Sequence, residues 1–173
     1  MTVRSDGALV RAAQHGSDVA IDELFRRHWP SAYRAAWLVV RDAAAAEDIA
    51  QEAFVAAVRA LDRFDRRRPF GPWLHRIAVN RAIDWARARS ARAERAGEPP
   101  ALAAPEHAAG VSDELLAALA TLSPEHRAVV ALRHLLGYSP GEIARALDLP
   151  RGTVNSRLRR GLDTLERRLG GRT

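Results

Sequence analysis

The sequence predicts an all-α fold: two small helical domains joined by a flexible linker, with a helix-turn-helix inside a four-helix C-terminal unit. Three observations lead there. Alanine is abundant, and the 11 glycines and 9 prolines among 173 residues gather in a few places, so helix is favoured almost everywhere. No stretch alternates β-branched with polar residues as a strand would. Residues 93–111, AERAGEPPALAAPEHAAGV, hold three prolines and two glycines without an apolar stripe, which marks a tether. The expected boundaries are therefore 1–92, a linker over 93–111, and 112–173.

The N-terminal unit reads as about four helices. The first, over 18–28, places Ile21, Leu24 and Phe25 on one face. Pro30 suits a first helical turn, so a second helix is expected to start after Trp29. A third, around 44–62, stacks Ile49, Ala53, Phe54, Val58 and Leu61 inward and shows Glu47, Asp48, Gln51, Glu52 and Val55 outward. Glu47 and Asp48 are expected in its first turn, where the helix dipole favours carboxylates. A fourth runs from about Pro72 to Arg92 with a polar stripe of Arg76, Asn80, Asp84 and Arg87. Between the last two lies DRFDRRRPFGP, in which Arg63, Arg66, Arg67 and Arg68 surround Phe64 and Phe70.

Helix starts in the C-terminal unit are marked by serine caps. Ser112 precedes Asp113 and Glu114, and Ser123 precedes Pro124 and Glu125. Ser139-Pro140-Gly141-Glu142 is a capping box with proline in the first turn. Gly137 closes a tight turn over 135–138. The segment from Ser139 to Leu165 then has the form of a helix-turn-helix. Ile143, Ala144 and Leu147 point inward from a short helix, Asp148-Leu149-Pro150 makes the turn, and Val154, Leu158, Leu162 and Leu165 point inward from a second. The outward face of the second helix shows Asn155, Ser156, Arg159 and Arg160, flanked by Arg151 and Arg157. Side chains of these types suit base edges and phosphates in a major groove.

Charge supports a polyanionic partner. The net charge is only +6, and every basic residue is arginine. By segment, however, residues 59–95 carry 11 Arg against 4 acids, and residues 145–173 carry 8 against 3. The acidic segments 1–58 and 96–144 hide these basic patches in the total. Two separated patches fit contact with nucleic acid at two places. An arginine-rich loop with interleaved aromatics suits single strands, whose bases stack on rings while guanidinium groups hold the backbone. Phe70 and Trp73 read mainly as core. The acidic and apolar outward face around Gln51 suits a basic partner helix.

Other function classes are excluded or weakened. The absence of cysteine rules out disulfides, thiol nucleophiles and cysteine-based metal sites. The six histidines show no ligand spacing, and neither a phosphate-cradling glycine loop nor a Ser/His/Asp grouping stands out. No catalytic residue, metal site or cofactor is expected. No apolar run reaches the ~18 residues needed to cross a bilayer, and the N-terminus lacks a signal-peptide stretch. A cytoplasmic protein without membrane contact is expected.

Four strings carry a resemblance to a known family: AEDIAQEAF at 46–54, PFGPWLHRIAVNRAIDWAR at 69–87, LSPEHRAVVALRHLLGYSPGEIARAL at 122–147 and PRGTVNSRLRRGL at 150–162. The chain resembles the extracytoplasmic-function (ECF) sigma factors of bacterial RNA polymerase, the minimal two-domain members of the sigma-70 family, over roughly residues 18–169. The resemblance implies a factor that binds core polymerase and directs promoter-specific initiation. Asp48, Gln51, Glu52 and Val55 would dock on the clamp helices of the largest polymerase subunit. Phe64, Arg66, Arg67, Arg76, Asn80 and Arg87 would capture and melt the −10 element. Arg151, Thr153, Asn155, Ser156, Arg157, Arg159 and Arg160 would serve the −35 element. The polymerase flap and an anti-sigma factor are further implied partners. Asp148 stands where the family commonly has glycine, and Asn155 where a basic residue is frequent. The alternative function is a polymerase-independent helix-turn-helix regulator, which leaves the acidic helix face and the arginine-rich loop without a role.

Overall fold

The computed structural model describes residues 4–97 and 112–170, which form helices joined by short turns and loops, with no strand among them. Most of the expected linker lies outside the described residues.

The N-terminal unit contains α1 (Asp6–Gln14), α2 (Asp18–Val40), α3 (Ala43–Arg59), a 3-10 turn (Leu61–Arg63) and α4 (Phe70–Ala96). Helix α1 was not expected. Its signals are the Ser5 cap, whose hydroxyl accepts from the Ala8 amide, and the inward Leu9, Val10 and Ala13. The two helices expected over 18–28 and after Trp29 are instead one, with Pro30 in its interior. Proline there removes a backbone donor at a cost of ~3 kcal/mol. The helix persists because residues on both sides of Pro30, Leu24 before it and Leu38 after it, are fully buried. Helix α3 starts at Ala43 behind an Asp42 cap, so Glu47 and Asp48 lie beyond its first turn. The helix dipole therefore does not account for them. Helix α4 continues to Ala96, four residues past its expected end, and Gly97 terminates it in the left-handed conformation at φ 67°.

In the C-terminal unit, α5 (Asp113–Ala120), α6 (Pro124–Val130), α7 (Pro140–Leu147) and α8 (Arg151–Gly170) begin close to where the caps indicate. A wide turn over Ala131–Leu135 extends α6, and Gly137 follows at φ 76°.

Alanine packs these helices closely. Ala46, Ala50, Ala53 and Ala57 follow one stripe of α3 and are all 0% exposed, as are Ala78 and Ala82 on α4. Small side chains let backbones approach, so the alanines are core rather than filler. One core cluster lies wholly within the N-terminal unit, around Leu24, Phe54, Phe70 and Leu74. The other crosses between units: Trp37, Leu38, Val39, Val79 and Ile83 pack with Leu116, Leu119, Val129, Leu132, Ile143 and Val154. The two domains are thus in direct contact.

At Gly161, α8 passes close against α6. A Cβ there would lie 2.7 Å from Val130 Cγ2 on α6. Valine is stiff at χ1 and cannot turn away freely. Gly161→Ala should therefore destabilise the chain by about 1–3 kcal/mol, outweighing a helix-propensity gain of about 1 kcal/mol. Val130→Ala in the same chain should recover part of that loss. Urea unfolding of the two single variants and the double variant tests this, and strict additivity of their effects would refute the contact.

Candidate nucleic-acid interface

The helix-turn-helix is fixed by local chemistry. Ser139 and Glu142 form the full capping box at the start of α7, with the Ser139 amide donating to Glu142 Oε2 at 2.8 Å. Asp148 ends α7 in the left-handed conformation, φ 52°, which aspartate tolerates better than most residues. The Leu149 amide returns to the Ala144 carbonyl at 2.9 Å and closes the turn. Ile143 and Val154 are fully buried across the crossing, while Ala144 and Leu147 are half-buried.

On α8 the expected contact face is open. Arg151, Asn155, Ser156, Arg159 and Arg160 are exposed, and Thr153 and Arg157 are half-buried. The Ser156 hydroxyl donates to the Thr153 carbonyl at 3.1 Å, which leaves its lone pairs outward. Nearby, His126 has its pKa held low, first by burial and then by Arg157 and Arg160. The cationic face therefore reaches the start of α6.

Leu162 departs from expectation: it is 41% exposed rather than inward. With Leu115, Leu119, Leu135, Leu165 and Leu169 it lines an open apolar groove of about 400 Å³. The spacing Val154, Leu158, Leu162, Leu165 exceeds the width of surface that α5 and α6 cover, a limit visible only in three dimensions.

The arginine-rich loop separates its two residue types. Arg66, Arg67 and Arg68 are exposed, and Asp65 accepts from both the Arg67 amide and its side chain. That side-chain bond, followed by the amide bond, holds the Asp65 carboxyl below its ordinary pKa. Phe64, expected to face bases, is 7% exposed and stacked 4.4 Å from Trp73 and 6.0 Å from Phe70. In this conformation the Phe64 ring is packed as core and anchors the loop. Gln14 reinforces the anchor by donating to the Leu61 and Phe64 carbonyls. A shallow recess of about 320 Å³ remains between Asp6, Val10, Phe64 and the three arginines.

The stripe on α4 is only partly free. Arg76 is exposed, but the Asn80 amide donates to the Ala146 carbonyl at 3.3 Å and Arg87 pairs with Glu125 of α6. Burial alone would raise the Glu125 pKa, yet the Arg87 hydrogen bond brings it below the ordinary value.

On α3 the outward face is continuous. Asp48, Gln51, Glu52 and Val55, all exposed, border a broad groove of about 640 Å³ with Ala56, Arg59 and Arg81. Arg81 pairs with Glu52 at 2.8 Å, so Asp48 and Gln51 are the acidic and amide groups left unpaired there among the described residues.

Among the described residues no cluster of His, Asp and Glu could hold a metal ion, and no helix is long and apolar enough to cross a membrane.

Comparison with known proteins places this geometry. Family models for Sigma-70 region 2 and Sigma-70, region 4 match residues 24–92 and 112–165. The ECF RNA polymerase sigma factor SigM of Mycobacterium tuberculosis is 36% identical over 170 residues, covering 96% of this chain and 86% of SigM. The ECF RNA polymerase sigma-E factor of Escherichia coli is 32% identical over 184 residues, covering 95% and 94%. Among solved structures, CnrH in complex with the cytosolic domain of CnrY matches with TM-score 0.72 and 31% identity over 97% of this chain and 99% of CnrH. The sigma factor RpoE of Bartonella quintana, solved with the anti-sigma factor NepR, shares the fold with TM-score 0.72 at 21% identity.

Proposed function

This chain belongs to the sigma-70 family as an RNA polymerase sigma factor of the ECF type, and we propose that four of its surfaces divide the work of docking on polymerase and recognising a promoter. The observation that carries this reading is the α8 face. Asn155, Ser156, Arg159 and Arg160 stand exposed on a helix held by a capped turn, and none of the arginines is spent in an ion pair among the described residues.

The −35 element is read by this face. Arg159 and Arg160 suit bidentate contact to guanine, Asn155 suits adenine, and Arg151, Thr153 and Arg157 hold the flanking phosphates. Contact with the −10 element falls to the loop arginines Arg66 and Arg67 and to Arg76, Asn80 and Arg87 on α4, with Phe64 supporting the loop from beneath. Exposed guanidinium groups on a rigid aromatic base suit a strand drawn out of the duplex. Asp48, Gln51, Glu52 and Val55 dock on the clamp helices of the largest polymerase subunit. Their exposure beyond the first turn of α3, where the dipole does not favour carboxylates, supports a surface kept for a partner. The apolar groove at Leu162 is the surface we assign to the polymerase flap. Residues 1–92 and 112–173 form the −10 and −35 domains, joined over 93–111.

Sigma factors are non-catalytic initiation factors, so no chemistry is assigned to any side chain or cofactor. The place of action is the cytoplasm, with core polymerase and promoter DNA as partners. Because the sigma factor RpoE, which shares this fold, has been solved with the anti-sigma factor NepR, an anti-sigma factor is assigned as a further partner.

Run-off transcription with bacterial core polymerase on a genomic promoter library should yield transcripts that depend on the protein. Tight duplex binding by the chain alone, without such transcripts, would favour the polymerase-independent regulator. Gln51→Arg with Glu52→Arg should abolish capture by core polymerase while leaving helicity intact, and unchanged pull-down would remove the α3 face from the docking surface. Arg160→Ala should cost about 1–3 kcal/mol at one −35 position and relax preference there. An unaltered −35 profile in the promoter library would exclude that contact.

A further inference from the structure

Helix α1 precedes the residues that match Sigma-70 region 2, 24–92. A helix of nine residues does not persist in water by itself, so packing must hold it. Its inward Leu9 and Val10 are fully buried. At its first residue the Asp6 carboxylate accepts from Arg27 Nη1 at 2.6 Å and is bonded to His28 Nε2 at 2.8 Å, both on α2. The His28 ring in turn lies 5.1 Å from the Phe70 ring at the start of α4. At the other end the Ser17 amide returns to the Ala12 carbonyl at 3.1 Å, with Gly16 in the left-handed conformation. Both ends of α1 are thus fixed to the body of the N-terminal unit.

From this fixed position α1 reaches the arginine-rich loop. Gln14, its last residue and half-buried, donates from Nε2 to the Leu61 carbonyl at 2.8 Å and to the Phe64 carbonyl at 3.2 Å. A side-chain amide has two N–H donors, and both go to the loop. Among the described residues, these two bonds are the ones that tie residues 61–68 to an element distant in the chain. The Phe64 carbonyl, just past the 3-10 turn, receives no backbone amide among the described residues.

Stacking of Phe64 on Trp73 and Phe70 fixes a ring, and a ring leaves the peptide that follows it free to rotate. The bond from Gln14 fixes that peptide, between Phe64 and Asp65. From Asp65 the chain makes a compact turn, with the Arg67 amide donating to Asp65 Oδ1 at 3.0 Å and the Arg68 amide to the Asp65 carbonyl at 2.9 Å. The turn moves as a unit, so the plane of one peptide sets the direction in which the exposed Arg66 and Arg67 leave the surface.

We propose that Gln14 is a positioning residue for −10 recognition: from α1 it fixes the Phe64–Asp65 peptide and, through it, the direction in which Arg66 and Arg67 are presented to a DNA strand. This inference rests on the reading of the loop as a DNA contact.

Gln14→Glu keeps the shape of the side chain and removes both donors, and Gln14→Met removes them without adding charge. Hydrogen exchange over residues 64–68, read by mass spectrometry on the full chain, reports the tie. A promoter library transcribed by each variant with bacterial core polymerase reports −10 and −35 preference separately. Arg66→Ala with Arg67→Ala, which removes the guanidinium groups themselves, is the reference for the loop.

In both Gln14 variants, exchange over 64–68 should rise about fivefold and selectivity at −10 should fall about fivefold, the size expected from losing a hydrogen bond. Helicity and −35 preference should match the parent. Gln14→Glu should lose more than Gln14→Met, because its carboxylate faces two carbonyl oxygens. Exchange equal to the parent's in both variants would overturn the tie. Faster exchange with the parent's −10 preference, where Arg66→Ala/Arg67→Ala alters that preference, would refute positioning and leave the loop as a DNA contact. A −10 preference unmoved by the double arginine variant as well would refute the contact on which the inference rests. An equal fall in −10 and −35 selectivity would reduce Gln14 to a residue that stabilises the fold.

Discussion

Arg127 holds the architecture together at the point where two helices end. Its guanidinium donates to the Leu119, Ala120 and Leu122 carbonyls beyond or at the end of α5, and to Val39 in the last turn of α2. Helix C-termini leave carbonyls without intrahelical donors and carry the negative end of the dipole. A planar group with five donors can satisfy several of them at once, which an ammonium on a flexible stem cannot do as well. The charge is therefore balanced by carbonyl dipoles rather than by a carboxylate. This one side chain closes the corner between α5 and α6 and ties that corner to the end of α2.

From that corner the surfaces sort themselves by what they are left facing. Close alanine packing of α2, α3 and α4 makes a rigid body whose two outer sides differ. One side is the α3 face, free along Asp48, Gln51 and Val55. The other is the α4 stripe, taken up in part by α6 and α7. The α8 face lies outside both and stays open. Of these three faces, only the α4 stripe is partly covered by the second unit.

Aromatic and charged residues in the loop before α4 divide in the same way. Phe64, Phe70 and Trp73 turn inward together because three rings stacked at 4.4 to 6.0 Å bury far more apolar area than any could alone. The arginines turn outward because burying a guanidinium away from water is costly. Interleaving in sequence thus becomes segregation in space, with the rings setting the position from which the guanidinium groups act.

Where chemistry is local, the sequence by itself determined the outcome. Ser112, Ser123 and Ser139 start their helices, Asp148 makes its left-handed turn and the polar face of α8 points outward, because each depends on residues within a few positions. The motifs at 46–54, 69–87, 122–147 and 150–162 were enough to identify the family. Tertiary structure alone decided the rest. Pro30 lies within one long helix because buried contacts on both sides offset its lost hydrogen bond. Leu162 faces out because its neighbours do not extend over it, and Phe64 faces in because Phe70 and Trp73 meet it there. The grip of α6 and α7 on α4 joins residues 38 to 66 positions apart, and no pattern along the chain encodes which distant carbonyl, ring or carboxylate a polar side chain will meet.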